Sequence, residues 1–204
     1  WLLAFHPDLI SQTSLGEHIK DYSFFFYNPE EALHLSQREK AKAVECICNI
    51  EEELRHAIDC HSQILISRYI ELLLDHCNRF YERQFITRCE ANKKIMKKTD
   101  VLLKDYILSG KLKYNTSPSL GYCAKRLQLS SHYFNDLLKF ESGKNIDEYF
   151  ESKRLEMAKS MLLDSNNTVS VVTEKLGYPN IRYFSRLFKR ITGVAPNNYR
   201  LSQN

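Results

Sequence analysis

One eleven-residue pattern is written twice in this chain, at an offset of 50 residues, and this repeat limits the fold more than any other feature. Tyr133 to Gly143 aligns with Tyr183 to Gly193, and five of the eleven positions are identical: Tyr, Phe, Leu, Lys and Gly. A shorter helical segment precedes each copy, about Ser119 to Leu127 in the first and Val169 to Leu176 in the second. The intervening turns differ in length by one residue. Gly177 sits in the second turn, where a sharp helix-to-helix corner favours a residue that tolerates positive φ. Two short helices joined by such a turn, written twice, predict two helix-turn-helix units at about 119–143 and 168–193.

Helical spacing sorts each second helix into two faces. In the later one, predicted over 181–191, Phe184, Leu187, Phe188 and Ile191 form the stripe expected to pack on a core. Arg182, Ser185, Arg186 and Lys189 occupy the opposite face. Arginine can donate two hydrogen bonds to a guanine edge, and serine can serve base or phosphate. Ile181, at the helix start, can pack against a thymine methyl. In the earlier helix, predicted over 131–141, Phe134, Leu137 and Leu138 point inward and leave His132, Asn135, Asp136 and Lys139 outward. Asparagine can pair with adenine, whereas aspartate can accept from cytosine N4 but is repelled by phosphate. The second helix is the stronger reader on electrostatic grounds. Lys139, Lys189 and Arg190 are the expected phosphate contacts.

Charge distribution agrees with a polyanion partner for one half only. Residues 1–90 hold 9 Lys and Arg against 15 Asp and Glu, while residues 91–204 hold 20 against 10. With six Gly and five Pro, the chain lacks the closely spaced turn signals of a β-sandwich, so the class is mainly α. The six cysteines are scattered within helical patterns without a C-x-x-C pair, which reads as reduced thiols in a cytoplasmic protein. No apolar run approaches the ~20 residues that span a bilayer, and no membrane partner is expected.

Between the repeats, Asn145-x-x-Glu148 begins a longer helix running to about Asp164. Its roughly 18 residues rise ~27 Å, against ~34 Å between successive major-groove faces on one side of B-DNA. The basic half is expected to form a domain over 92–204, with a helix ending near Gly110 and a linker from Lys111 to Ser117. In residues 1–91, Ser36-x-x-Glu39 opens a helix to about His56, with Val44, Ile47, Leu54 and Ile58 as its apolar seam. A second helix, about Ile64 to Phe85, is apolar at Ile66, Ile70, Leu73, Cys77 and Phe80, with Leu65, Tyr69 and Leu72 on a neighbouring face. An apolar surface that wide predicts burial on two sides, in a sensor-domain core or a homodimer interface through helices 36–85. The aromatic run Phe24 to Tyr27 reads as a short buried strand or a loop packed on a core. The chain opens at Trp1 inside what reads as the middle of a segment, so the start of the full protein is expected to lie outside it.

From Arg154 to Arg200 the sequence carries Arg154-Leu155-x-x-Ala158, Leu162, Leu176-Gly177-Tyr178, the Tyr183 to Lys189 segment, and Thr192-Gly193-Val194-Ala195-Pro196-x-x-Tyr199-Arg200. This run closely resembles the AraC/XylS family of bacterial transcription regulators, and the resemblance extends over roughly residues 95–204. It implies a homeodomain-like tandem helix-turn-helix domain of seven short helices with a long linker helix, bound to double-stranded DNA. It also implies an activator that contacts RNA polymerase, with no catalysis and no cofactor. Base reading is implied at His132, Asn135 and Asp136 in the first unit, and at Ile181, Arg182, Ser185 and Arg186 in the second. The sequence departs from the family pattern at Asp136, where a basic or amide residue is common, and at Leu138, where Phe is usual. Relatives commonly carry a β-rich sensing domain ahead of this one. Residues 1–91 read as only the helical tail of such a domain, with any small-molecule effector bound outside this chain.

Two other function classes stay open at this point. One is a protein-interaction scaffold whose helix-turn-helix units bind no DNA. The other is a fusion with DNA alkyl repair, which needs a reactive cysteine in electropositive surroundings, whereas all the cysteines before Cys123 lie in the acidic half. His56 and Cys60 fall at i, i+4, with His61, Cys46 and Cys48 nearby, but their spacing is unlike that of structural zinc sites, so no metal is expected.

Overall fold

The computed structural model describes residues 1–114, 117–164 and 166–201. The chain divides into two compact units, Trp1–Cys89 and the remainder from Glu90 onward. Among the described residues the architecture is helices and 3-10 turns, without a strand. No described helix is long and apolar enough to cross a membrane.

The first unit is built on a hairpin of two helices, α2 (Gln37–Arg55) and α3 (Ser62–Thr87), with a short α1 (Ser14–His18) and several 3-10 turns ahead of them. Helix α2 begins where its capping box predicts. The Ser36 hydroxyl accepts from the Glu39 amide at 3.3 Å, and the Glu39 carboxylate accepts from the Ser36 amide at 2.7 Å. The same carboxylate receives two bonds from Arg83 of α3, each 2.8 Å, so one residue both starts α2 and clips it to α3. Leu15, Ile50, Ile70 and Leu74 form the core of this unit.

The structure corrects the apolar seam of α2 and refines two other expectations in this unit. The buried positions of α2 are Cys46 and Ile50, with Val44 and Ile47 half-buried. Leu54 and Ile58 are 58% and 79% exposed, because the helix ends at Arg55 and His56 turns to extended backbone. That break also removes the i, i+4 relation between His56 and Cys60. On α3, Ile66, Ile70, Leu73 and Phe80 are buried, but Leu65 and Leu72 are 41% and 45% exposed, so the second apolar face is open within the chain. The aromatic run is a 3-10 turn over Ser23–Phe26 rather than a strand; Phe24 stacks on Tyr81 at 5.5 Å, while Phe25 and Phe26 stay half exposed.

Among the described residues the second unit contains seven α-helices: α4 (Cys89–Leu108), α5 (Leu120–Leu127), α6 (Ser131–Ser142), α7 (Ile146–Leu163), α8 (Val169–Lys175), α9 (Ile181–Thr192) and α10 (Pro196–Leu201). A 3-10 turn at Lys111–Tyr114 occupies the start of the expected linker, whose residues 115 and 116 lie outside the described residues. One core serves both helix-turn-helix units. Phe134 and Leu138 from α6, Phe150, Ala158 and Leu162 from α7, and Phe184 and Phe188 from α9 all belong to it. Leu138 is fully buried in this core.

The repeat is closer in backbone geometry than in sequence. Ser119, Ser130, Thr168 and Asn180 cap α5, α6, α8 and α9, and each side-chain oxygen accepts from the amide three residues on. In the first turn Leu129 N donates to Ala124 O and Gln128 N to Lys125 O; in the second Tyr178 N donates to Thr173 O and Gly177 N to Glu174 O. These are paired Schellman closures around a left-handed residue. That residue is Gly177 at φ +67° in the second unit but Gln128 at φ +60° in the first. Gln128 is the one described non-glycine residue at positive φ.

The two turns differ in what they touch. A Cβ at Gly177 would lie 2.5 Å from Leu112 Cβ and 2.7 Å from Leu112 O, so the glycine is needed for close approach as well as for φ. The carbonyl of Leu176, just before it, receives Arg154 Nε at 3.1 Å and Nη2 at 2.8 Å from α7. The Arg154 guanidinium also lies 4.0 Å from the centroid of the Tyr178 ring and pairs with Glu151 through Nη1. We expect Gly177→Ala to destabilise the chain by about 1–3 kcal/mol from the left-handed backbone alone, with a further loss from the Leu112 clash. Chemical denaturation of the two proteins measures this; an unchanged midpoint would contradict the close approach.

Candidate nucleic-acid interface

Helix α9 presents the more cationic of the two outer faces. Phe184 and Phe188 are fully buried on its inner face, where Phe184 meets Tyr178 at 5.0 Å and Phe188 meets Tyr199 of α10 at 5.3 Å. Arg182, Arg186, Lys189 and Arg190 are exposed, Ile181 is 46% exposed and Ser185 is half-buried. Among the described residues none of these four cations forms an ion pair. Lys189 and Arg190 lie in the last turn, where positive charge also favours the helix dipole, and their local benefit there is modest.

One inward assignment on α9 is corrected. Ile191 is 56% exposed, because core contact along that stripe stops at Phe188 and the helix ends one turn later at Gly193. Tyr183, to which the sequence reading gave no role, is 52% exposed and lies beside Arg182 in the first turn of α9. Its counterpart Tyr133 is 4% exposed. Identical residues at matched positions thus have different environments, and nothing in the repeat itself separates them.

The outer face of α6 is different in kind. His132 and Lys139 are exposed, and Asn135 and Asp136 are half-buried. Asn135 Nδ2 donates to Asp136 Oδ1 at 3.3 Å, so the two base-reading candidates of this helix are partly engaged with each other. Near the end of α6, Glu141 accepts from Asn92 Nδ2 of α4 at 3.1 Å, which helps fix the helix against its neighbour. The structure therefore brings each set of sequence-derived candidates together on one helix face. It gives the first face mixed charge and the second uniform positive charge.

The remaining candidates are not assembled into a chemical site. His56, Cys60 and His61 are exposed around the break after α2, while Cys46 is buried. Among the described residues no three potential metal ligands come together. Burial pushes the Cys77 and Cys123 thiols up to about 11, which disfavours the thiolate a methyl-accepting cysteine needs.

Comparison with known proteins bears on residues 123–202, which match the family profile described as "Helix-turn-helix domain". The chain is 37% identical over 87 residues to the uncharacterized HTH-type transcriptional regulator YtdP of Bacillus subtilis, covering 43% of this chain and 11% of that protein. It is 32% identical over 80 residues to the HTH-type transcriptional activator RhaR of Yersinia pseudotuberculosis, covering 39% and 27%. Among solved structures, the C-terminal domain of AraT, a response regulator from Geobacillus stearothermophilus, aligns over 53% of this chain and 84% of that one, with 27% identity and a TM-score of 0.42. The chain thus spans a minor part of the length of these curated relatives, whose names describe regulators rather than enzymes. The repeated units, their paired turns and these sequence matches make residues 123–202 a helix-turn-helix domain similar to those of bacterial transcription regulators.

Proposed function

We propose that this chain is part of a sequence-specific transcription regulator that inserts α9 and α6 into neighbouring major-groove segments of double-stranded DNA. The observation that carries this reading is the outer face of α9: four exposed cations without carboxylate partners on a rod anchored by two fully buried phenylalanines. Arg182 and Arg186 read guanine edges, Ser185 and Ile181 add polar and methyl contacts, and Lys189 and Arg190 hold phosphate. His132, Asn135 and Asp136 read bases more weakly from α6, with Lys139 on the backbone. Helix α7, 18 residues long, rises about 27 Å. That is short of the ~34 Å groove repeat, so simultaneous reading calls for bent DNA or a loosely seated first unit.

Activation through RNA polymerase belongs to the same reading, supported by relatives named as activators. A homodimer through the helices of residues 36–85 is supported by the exposed Leu65 and Leu72, seven residues apart on α3. Sedimentation is expected to show self-association that Leu65→Glu with Leu72→Glu abolishes; a wild-type monomer at high micromolar concentration would end that part.

Selecting bound duplexes from a random pool, then titrating the full chain with the selected duplex at several salt concentrations, tests the reading. Tight binding with a steep salt slope is expected; flat or absent binding would favour a protein-interaction scaffold. Arg186→Ala is expected to cost about 1–3 kcal/mol on the selected duplex and to relax preference for the base beneath it. An equal loss on random duplex would make Arg186 a phosphate clamp. Lys189→Ala is expected to weaken all duplexes alike and to lower the salt slope by about 1; an unchanged slope would take Lys189 out of the interface.

A further inference from the structure

Helix α4 carries Lys94, Lys97 and Lys98 on one exposed face, at the i, i+3, i+4 spacing that gathers side chains along a helix. Its opposite face buries Asn92, Thr99 and Leu103. Among the described residues the three lysines form no ion pair, although acidic groups lie on the same helix. Glu90 is taken by Lys93 at 3.0 Å. Asp100 is taken by Lys153 at 3.2 Å and by the Tyr149 hydroxyl at 2.7 Å. Like charges at this spacing destabilise a helix, so the cluster contributes nothing to α4 itself.

A shared cleft makes this face continuous with the first helix-turn-helix unit, and a hydrogen bond from the opposite side of α4 reaches the same unit. Lys98 shares a surface cleft of about 340 Å³ with Arg126 and Gln128, at the end of α5 and in its turn; Asp105 is the acid in that cleft. Asn92, on the buried side of α4, holds Glu141 near the end of α6. The first unit's own reading face is short of phosphate-binding charge, because Asp136 offsets Lys139. The nearby unpaired cations therefore lie beside the reader rather than on it.

We propose that Lys94, Lys97 and Lys98, together with Arg126, form a sequence-independent phosphate-binding surface that holds the DNA backbone flanking the first helix-turn-helix unit. The surface supplies grip where α6 cannot, and it lengthens the footprint beyond the two reading helices. This inference rests on the DNA-binding reading above.

The test uses the full chain and two duplexes: a selected sequence of about 20 base pairs covering both readers, and the same sequence extended by about 10 arbitrary base pairs at each end. Wild-type protein is expected to bind the longer duplex more tightly and with a steeper salt slope. The triple variant Lys94→Gln, Lys97→Gln, Lys98→Gln is expected to lose that gain, with the slope on the long duplex falling by about 2 to 3. Its binding to the short duplex should stay within about two-fold of wild type, which also shows that the variant is folded. No wild-type gain from the added flanks, or equal losses on both duplexes, would overturn the proposal while leaving the two readers intact. Failure of wild type to bind either duplex would overturn the DNA reading as well. Duplex binding indifferent to the substitutions, with loss of binding to anionic phospholipid vesicles, would assign the lysines to a membrane surface instead.

Discussion

The fork that Arg154 places on the Leu176 carbonyl is the contact on which the arrangement of the second unit depends. Leu176 closes α8, and its carbonyl would otherwise face the core without an intrahelical donor. Arg154 reaches it from α7, the helix between the two units, and stacks its guanidinium against Tyr178. One side chain from α7 thereby fixes both the end of α8 and the turn that aims α9. A guanidinium that is nine-tenths buried is stable only because its donors are used, three of them on Leu176 O and Glu151, with two aromatic rings nearby. Arg200 repeats the device at the C-terminal end of α7, donating to Leu162 O at 2.9 Å and to Asn167 O. Both arginines act on backbone carbonyls inside the domain, and neither belongs to its cationic surface.

On the proposed DNA-binding function, this division of labour among cations reconciles a moderate net charge with a polyanionic partner. Arg154 and Arg200 are spent on the fold, while Lys93 and Lys153 are matched by acids of their own. Among the described residues, the cations without an ion pair include Arg182, Arg186, Lys189 and Arg190 of α9 and Lys94, Lys97 and Lys98 of α4. Charge that is already paired does not release counterions from DNA, whereas unpaired exposed charge does. The mixed face of α6 fits the same proposal, because an aspartate on a face offered to DNA would discriminate against partners more than it adds affinity.

The tandem units share a single core, and the repeat has diverged where the surroundings differ. Gly177 must be glycine because Leu112 presses against it, while the equivalent left-handed position in the first turn carries Gln128. Tyr133 is buried where Tyr183 is exposed. Within the first unit of the chain, Glu39 shows comparable economy, since its Oε2 accepts from both the Ser36 amide and Arg83, while its Oε1 takes the second bond from Arg83.

The sequence by itself determined the helical class, the two helix-turn-helix units, the start of α2 and α7, and the separation of polar from aromatic faces on α9. Those features follow from local chemistry: a capping side chain needs its partner three residues on, and an amphipathic helix repeats its pattern every 3.6 residues. Only the tertiary structure decided that Ile191 and Leu54 stay exposed, that α2 buries Cys46 and Ile50, that Asn135 bonds Asp136, and that Gln128 takes the left-handed backbone of Gly177. Periodicity says which side chains share a face, but not where along the helix the neighbouring element stops. That limit is set by the position of other helices, which no local pattern records.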